Sequence, residues 1–382
     1  MLRRLASDRG EELILDRAVF AADAGSLARS RRTALFGSTH LVIRNLRLLH
    51  ERGWEWLEEH RPDAPGPVPG RSNENAPSAS EVLAWFVPLA ARRLGVRATR
   101  AIRRSDDVLH WRIAIRSGHT SRLSDRPDDL AGFQWVESPR GHFYADPFIL
   151  ERDGRRWIFF EDFSYARGAA SIACAEIGPN GDLGEVREAL TAADHLSYPM
   201  VVLDGTDALM VPESAEAGVV RLHRASVFPD SWSVAADLLP EPGVDSTLWH
   251  RDGRWWLFTT LTEPRGGAGM LMLFHADAVD GPWAPHPLNP ISQDVRTSRG
   301  GGSLFVAGGR LVRPSQDGSR GYGYRLTFNE ITALTETDYA ERPGPSATPE
   351  GVPGLLGLHT YNRAGDIEVM DGKTARPRRS VA

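Results

Sequence analysis

Ala145 to Phe163 reads ADPFILERDGRRWIFFEDF. Apolar residues on either side of Asp153-Gly154 predict a strand, a tight turn and a second strand, with acidic residues at the strand ends. The pattern returns later. Asp146 is followed by Asp153-Gly154 and then Trp157; Asp245 is followed at the same intervals by Asp252-Gly253 and Trp256. Two widely separated stretches with one spacing are the mark of an internal repeat.

Taking Asp146 and Asp245 as the zero position of a unit, three further turns fall into phase. Ser197 precedes Gly205, Gly301 precedes Gly309, and His359 precedes Asp366. Zero positions at 146, 197, 245, 301 and 359 are separated by 51, 48, 56 and 58 residues, a spacing that suits propeller blades. An independent signal agrees: Leu222–Trp232 (LHRASVFPDSW) is similar to Leu273–Trp283 (LFHADAVDGPW), and both sit where a third strand and its following turn belong. Those tryptophans are expected to pack between neighbouring sheets. The predicted fold is therefore mainly β, a five-bladed β-propeller over residues 132–371 with an N-terminal mainly helical region. The fifth unit runs out before its third and fourth strands, so a strand from Leu109–Ile115 or Gln134–Glu137 is expected to close the ring.

Residues 1–125 read differently. Apolar residues among arginines predict a helix over Ser26–Glu59, and Pro62, Pro65, Pro67 and Pro69 mark a linker near 62–80. A second helix is expected from Ser78 to Leu94, with a capping box at Ser78 and Glu81, a kink at Pro88 and a terminal cap at Gly95. Arginines from Arg92 to Arg104 follow its apolar residues. That combination suits either a weak membrane-surface contact or a helix packed on a neighbouring domain, and the short apolar run favours packing. Residues 372–382 are expected to form a disordered tail.

Composition removes several function classes. Of 382 residues, 41% are hydrophobic and 25% charged, as in soluble globular proteins, and the net charge of −5 gives no pull towards nucleic acid. Cys174 is the single cysteine, so no intramolecular disulfide can form. Lys373 is the single lysine, which argues against a Walker-type phosphate loop and a lysine Schiff base. Charges interrupt every candidate leader or spanning segment, and a cytoplasmic location is the expectation.

Loops at the start of the first strands converge on the axis of a propeller, where pockets form. There the zero positions place Asp146, Ser197, Asp245, Gly301 with Arg299, and His359. The second strands return sixteen residues later with Asp162, Glu213 and Asp317, and Arg313 and Gln316 stand beside the last. Glu161 and Asp162 must point to opposite faces of their strand, and Asp162 is the expected mouth residue. Each residue also has a structural reading. Asp146 and Asp245 could bond turn backbone, Arg299, Arg313 and Asp317 could pair with one another, and His359 could simply be packed. Trp157, Trp255, Trp256 and Cys174 are expected to be packing residues. Gly300–Gly302 has the composition of a phosphate loop without a βαβ unit around it, and suits close backbone approach instead.

The motifs YPMV, VPES, FPDSW, DSTLW, WWLF and RPSQD make residues 132–371 resemble the N-terminal propeller domain of glucosamine inositolphosphorylceramide transferases and bacterial relatives. More distantly, ADPF on the first blade and a histidine on the fifth are similar to family 43 glycoside hydrolases. The hydrolase likeness implies a general base at Asp146, a general acid at Glu213 and an orienting carboxylate at Asp245. It also implies that His359 holds an axial water or metal ion; no other cofactor is expected. Asp162, Arg299, Arg313, Gln316, Asp317 and His359 would bind substrate. The plant transferases carry a glycosyltransferase domain after the propeller, whereas this chain ends in ARPRRSVA, so any such transferase is expected to be a separate partner.

Three functions stay open at this point. One is an enzyme that cleaves or transfers a glycosyl unit of a sugar or glycoconjugate in cell-surface glycan or glycolipid synthesis. The second is a non-catalytic sugar-binding module serving a glycosyltransferase. The third, a protein-interaction propeller, calls for an exposed apolar top face rather than clustered charge.

Overall fold

The computed structural model describes residues 2–4, 13–16, 18–20, 26–60, 78, 80, 83, 84, 87, 107–118, 122–262 and 269–378. The chain forms two compact units, a smaller one mainly of Ala22–Val108 and a larger one mainly of Leu109–Arg376.

In the smaller unit a helix spans Leu27–Glu59, as the sequence predicts. The Ser26 hydroxyl caps it by accepting from the Arg29 N–H at 3.2 Å, and Gly53, at φ 84°, interrupts it. Leu41, Asn45 and Leu48 are buried at helical spacing, whereas Leu35, Ile43 and Leu46 are exposed. Of the predicted second helix, residues 80, 83, 84 and 87 are helical; Glu81, Pro88 and Gly95 lie outside the described residues, as do most of the 62–80 linker and the arginines at 92–104. Among the described residues no helix is long and apolar enough to cross a membrane.

The larger unit is a five-bladed propeller. Blade 1 uses His142–Arg152, Arg155–Ser164, Ala169–Ile177 and Arg187–Leu190 in sequential order. Blade 2 runs from Ser197 to Leu239, blade 3 from Gly243 to Pro285 and blade 4 from Arg299 to Ala347. Blade 5 joins Tyr361–Ala364 and Ile367–Pro377 to Asp107–Ser117 and Gln134–Trp135, so both expected closing segments are used, as third and fourth strands. The propeller therefore begins before residue 132. The expected tail is strand as far as Pro377, with Lys373 within it.

Local sequence explains the hairpins. Asp153 and Gly154 both take positive φ (53° and 70°), as do Asp252 and Gly253 (54° and 74°), the backbone of the two-residue turn that follows strand twist. Trp157, Trp255, Trp256 and Cys174 are buried between sheets, and the Trp232 ring meets Phe159 of blade 1 edge-on at 5.6 Å. A continuous apolar cluster of Phe159, Met210, Leu222 and Leu257 links blades 1 to 3.

Candidate active site in the axial cavity

The innermost strands do not simply start at the axis; they kink there. Asp146, Tyr198 and Asp245 have φ of 49°, 44° and 49°, a region that costs a non-glycine residue about 1–3 kcal/mol unless its surroundings enforce it. Here the enforcement is visible. The Asp146 N–H donates to Asp371 Oδ2 of blade 5 at 3.0 Å, the Tyr198 N–H to Asp146 Oδ2 at 3.2 Å, and the Asp245 N–H to Glu213 Oε2 at 3.3 Å. Each kinked N–H is thus taken by a carboxylate from the preceding blade. In blade 4 the role passes to Gly302, at φ 131°, where an added Cβ would lie 2.0 Å from the Tyr361 carbonyl oxygen. A Cβ on Gly300 would come within 2.7 Å of the Asp245 carbonyl oxygen. The glycine run serves close backbone approach, not a phosphate.

Around these kinks lies a cavity of about 230 Å³. Asp146, Glu161, Glu213, Asp245, Arg299 and His359 line its polar side; Trp111, Phe143, Phe163 and Tyr322 form aromatic wall, and His195 and Ser197 complete it. Asp146 and Asp245 are each 4% exposed. Asp146 Oδ1 accepts from the Thr360 hydroxyl at 2.6 Å. Asp245 Oδ2 accepts from Arg299 Nε and, at 3.1 Å, from Gln316 Nε2, and Arg299 also stands 4.0 Å from Glu213.

Crowding carboxylates away from water favours their neutral forms. Burial, opposed by His359 and supported by Asp371 and Asp245, pushes Asp146 up to about 6. Burial and the Asp245 carboxylate push Glu213 up to about 8, against the pull of Arg299. Glu161 is raised well above the usual range by burial and then by Asp146 and Glu213. Burial alone would lower His359, but Asp371 and Asp146 outweigh it and raise it.

The surroundings of His359 favour its protonated form. Its Nδ1 bonds Asp371 Oδ2 at 2.5 Å, its Nε2 lies 3.7 Å from Asp146 Oδ1, and its ring stacks on Trp111 at 3.8 Å. Potential ligand atoms of Asp146, His359 and Asp371 lie within 4.8 Å of one another, as a metal would require. The donor set does not fit a three-ligand centre, however. Besides His359 Nδ1 and the Asp146 N–H, Asp371 accepts from the His359 and Thr360 N–H groups, each at 3.0 Å, which fills its lone pairs.

Several expected site residues stand elsewhere. Asp162 bonds His142 Nδ1 at 2.7 Å and leaves the cavity to Glu161. The reason is register: the second-strand residue facing the cavity comes fifteen places after the kink, from 146 to 161 and from 198 to 213, and counting from Ser197 instead of Tyr198 adds one. A slip of one residue flips the face. Arg313, 2% exposed, pairs with Glu341 at 2.8 Å, and Asp317 pairs with Arg325 at 2.8 Å, so neither reaches the cavity nor Arg299. Gln316 acts behind the wall, on Asp245 and the Gly300 carbonyl. Asp146, Glu213, Asp245, Arg299 and His359 do converge. Glu161, His195, Tyr322 and Asp371 escaped the sequence reading; a fifteen-residue count from Asp146 would have found the first.

Fold and cavity define a class, a five-bladed propeller with a carboxylate-lined axial site. Residues 135–354 match the family described as glucosamine inositolphosphorylceramide transferase 1, N-terminal, and the chain belongs to that family. The glucosamine inositolphosphorylceramide transferase 1 of Oryza sativa subsp. japonica is 34% identical over 246 residues, 60% of this chain and 33% of that protein. Its counterpart in Arabidopsis thaliana is 35% identical over 205 residues, 52% of this chain and 27% of that one. The chain thus spans about a third of the length of these relatives or less. Among solved structures, a family 117 glycoside hydrolase of Zobellia galactanivorans is similar with a TM-score of 0.44 at 12% identity, over 71% of this chain and 92% of the other. An α-L-arabinanase of Cellvibrio cellulosa gives 0.39 at 12% identity, over 59% and 82%.

Proposed function

We propose that the axial cavity cleaves or transfers a glycosyl unit, with Glu213 as general acid and Asp146 as general base. The observation that carries this reading is the pair itself: Glu213 and Asp146 line one cavity, and their surroundings push Glu213 further up, to about 8, than Asp146, to about 6, which makes Glu213 the better proton donor and Asp146 the better base. Glycosyl chemistry needs that division of labour. Glu213 gives its proton to the leaving oxygen as the glycosidic C–O bond breaks, and Asp146 takes one from the attacking hydroxyl, of water in hydrolysis or of an acceptor in transfer. Asp245, fixed by Arg299 and Gln316, orients Glu213 through its N–H. The aromatic walls suit the apolar face of a sugar ring. The names of the relatives support a glycolipid or related cell-surface glycan as the substrate class.

A second reading has one observation in its favour. The family match is to the N-terminal part of the transferases, which suits a module that binds glycan for a separate glycosyltransferase. Screening aryl glycosides and nucleotide sugars for turnover, with glycan binding measured in parallel, separates the two. Turnover abolished by Asp146→Asn supports catalysis; a glycan bound without turnover by the wild type supports the module.

A further inference from the structure

Glu161 differs from every other carboxylate of the cavity. Asp146, Glu213 and Asp245 each accept at least one hydrogen bond from the protein, whereas Glu161, only 7% exposed, receives none among the described residues. His195 Nε2 stands 3.6 Å from its Oε1, too far for a direct hydrogen bond. A carboxyl that faces a cavity with no donor of its own calls for an explanation.

His195 supplies one. The Ala170 N–H donates to its Nδ1 at 3.2 Å, so Nδ1 is the acceptor and the neutral ring carries its proton on Nε2, the nitrogen turned to Glu161. Burial lowers the affinity of His195 for a second proton, in keeping with that tautomer. A fixed N–H donor thus stands beside an unbonded carboxyl oxygen, both on the cavity, with a gap that a third atom can bridge. A hydroxyl lying to one side of the pair can touch both: its oxygen accepts from Nε2–H while its proton goes to Glu161 Oε1, the carbonyl oxygen of the neutral carboxyl. Phe163 lies against the His195 ring at 6.2 Å, and stacks on Phe143 at 4.6 Å, giving apolar surface next to this polar pair. We infer that Glu161 and His195 form a subsite that grips one hydroxyl of the sugar in the axial cavity. The inference rests on the carbohydrate reading above and adds to it a specificity-determining pair from blade 1 and the loop that follows it.

The test uses the full chain and a panel of methyl glycosides of common hexoses and pentoses, with their monodeoxy derivatives, followed by ligand-observed NMR. A glycoside that binds the wild type is expected to bind Glu161→Leu and His195→Phe about three- to tenfold more weakly, the scale of a lost hydrogen bond between neutral groups. One monodeoxy derivative should bind wild type and variants alike, because the hydroxyl the pair would hold is already gone. Affinity within twofold in both variants for every bound glycoside overturns the subsite and leaves the carbohydrate reading intact. Failure of the wild type to bind any glycoside overturns that reading, and the subsite with it.

Thermal melting supplies a second readout that needs no ligand. A carboxyl whose proton is held more tightly in the folded state contributes a penalty that grows as pH rises above its unfolded value. The groups facing Glu161 are the carboxylates of Asp146, Glu213, Asp371 and Asp162 together with His195 and Tyr322, and the carboxylates all add to that penalty. Glu161→Gln should therefore melt at or above the wild type at pH 8 and show no such advantage at pH 4. A variant that melts well below the wild type at both pH values would make Glu161 a structural residue and overturn the inference.

Discussion

Blades 1 and 3 each carry two aspartates in the left-handed region, one at either end of a strand. Asp146 and Asp245, at φ 49°, stand at the axis and are 4% exposed; Asp153 and Asp252, at φ 53° and 54°, stand in the distal hairpins with side chains 85% and 87% exposed. Residue type and backbone are the same, yet the environments are opposite. In the hairpins the following glycine completes an ordinary two-residue turn, and the exposed carboxylate lies beside the preceding arginine. At the axis the same conformation turns a carboxylate into a cavity and hands its N–H to the neighbouring blade. A positive φ marks a site only when burial and partners come with it.

The largest effect expected of this contrast is on turnover. Asp146→Asn keeps a residue that tolerates the left-handed region and removes the charge, so turnover should fall about 10²–10⁴-fold, the range for a lost general base, with little change in melting temperature. Retained turnover on a proven substrate would break the distinction between the two ends.

Arg313 tests the boundary between site and scaffold. It is buried, bonded to Glu341 and to the Thr297 carbonyl, and absent from the cavity. Arg313→Met strands the Glu341 carboxylate and should cost about 3–5 kcal/mol of stability, read by denaturant unfolding, while activity below the melting point persists. Activity lost in a variant that remains folded would place Arg313 with the site after all.

A pH profile sharpens the comparison from the chemistry side. With Asp146 near 6 and Glu213 near 8, turnover should be bell-shaped, limited on the acid side by protonation of the base and on the alkaline side by ionisation of the acid. Stability should move one way. Both carboxyls keep their protons in the folded state above the pH at which the unfolded chain releases them, so stability falls as pH rises through about 6 and about 8. Glu213→Gln should flatten the second part of that loss. Unchanged pH dependence in the variant would show that the proton resides elsewhere in the carboxylate set.

Much of this was legible because it repeats. Glycine-bearing turns at a near-constant distance from a zero position are dictated by strand length and turn chemistry, so they pointed to five blades and to Asp146, Glu213, Asp245, Arg299 and His359 near the axis. What escaped was set by a local irregularity or by partners distant in sequence. The kink shifts parity by one residue, which exchanged Asp162 for Glu161. Asp371 sits only twelve residues after His359, in the one blade whose strands come from both parts of the chain, so the repeat did not point to it. Tyr322 and His195 lie in connections between strands, which a count along the strands does not index. Arg313 has the right strand and the wrong face.

The smallest expected effect closes the comparison. Asp153→Asn in the distal hairpin keeps left-handed tolerance and removes a carboxylate that pairs with Arg152, 3.4 Å away at the surface. Exposed pairs of this kind contribute about 0–1 kcal/mol, so stability should change by no more than about 0.5 kcal/mol and turnover not at all. Asp153→Ala should cost more, about 1–2 kcal/mol, because alanine lacks the local hydrogen bonds that ease the left-handed region. The same two changes at Asp146 should invert in readout: asparagine removes activity with little loss of stability, and alanine removes both. If Asp153→Asn proved as damaging to turnover as Asp146→Asn, the left-handed geometry itself, rather than the buried carboxylate, would be the common cause.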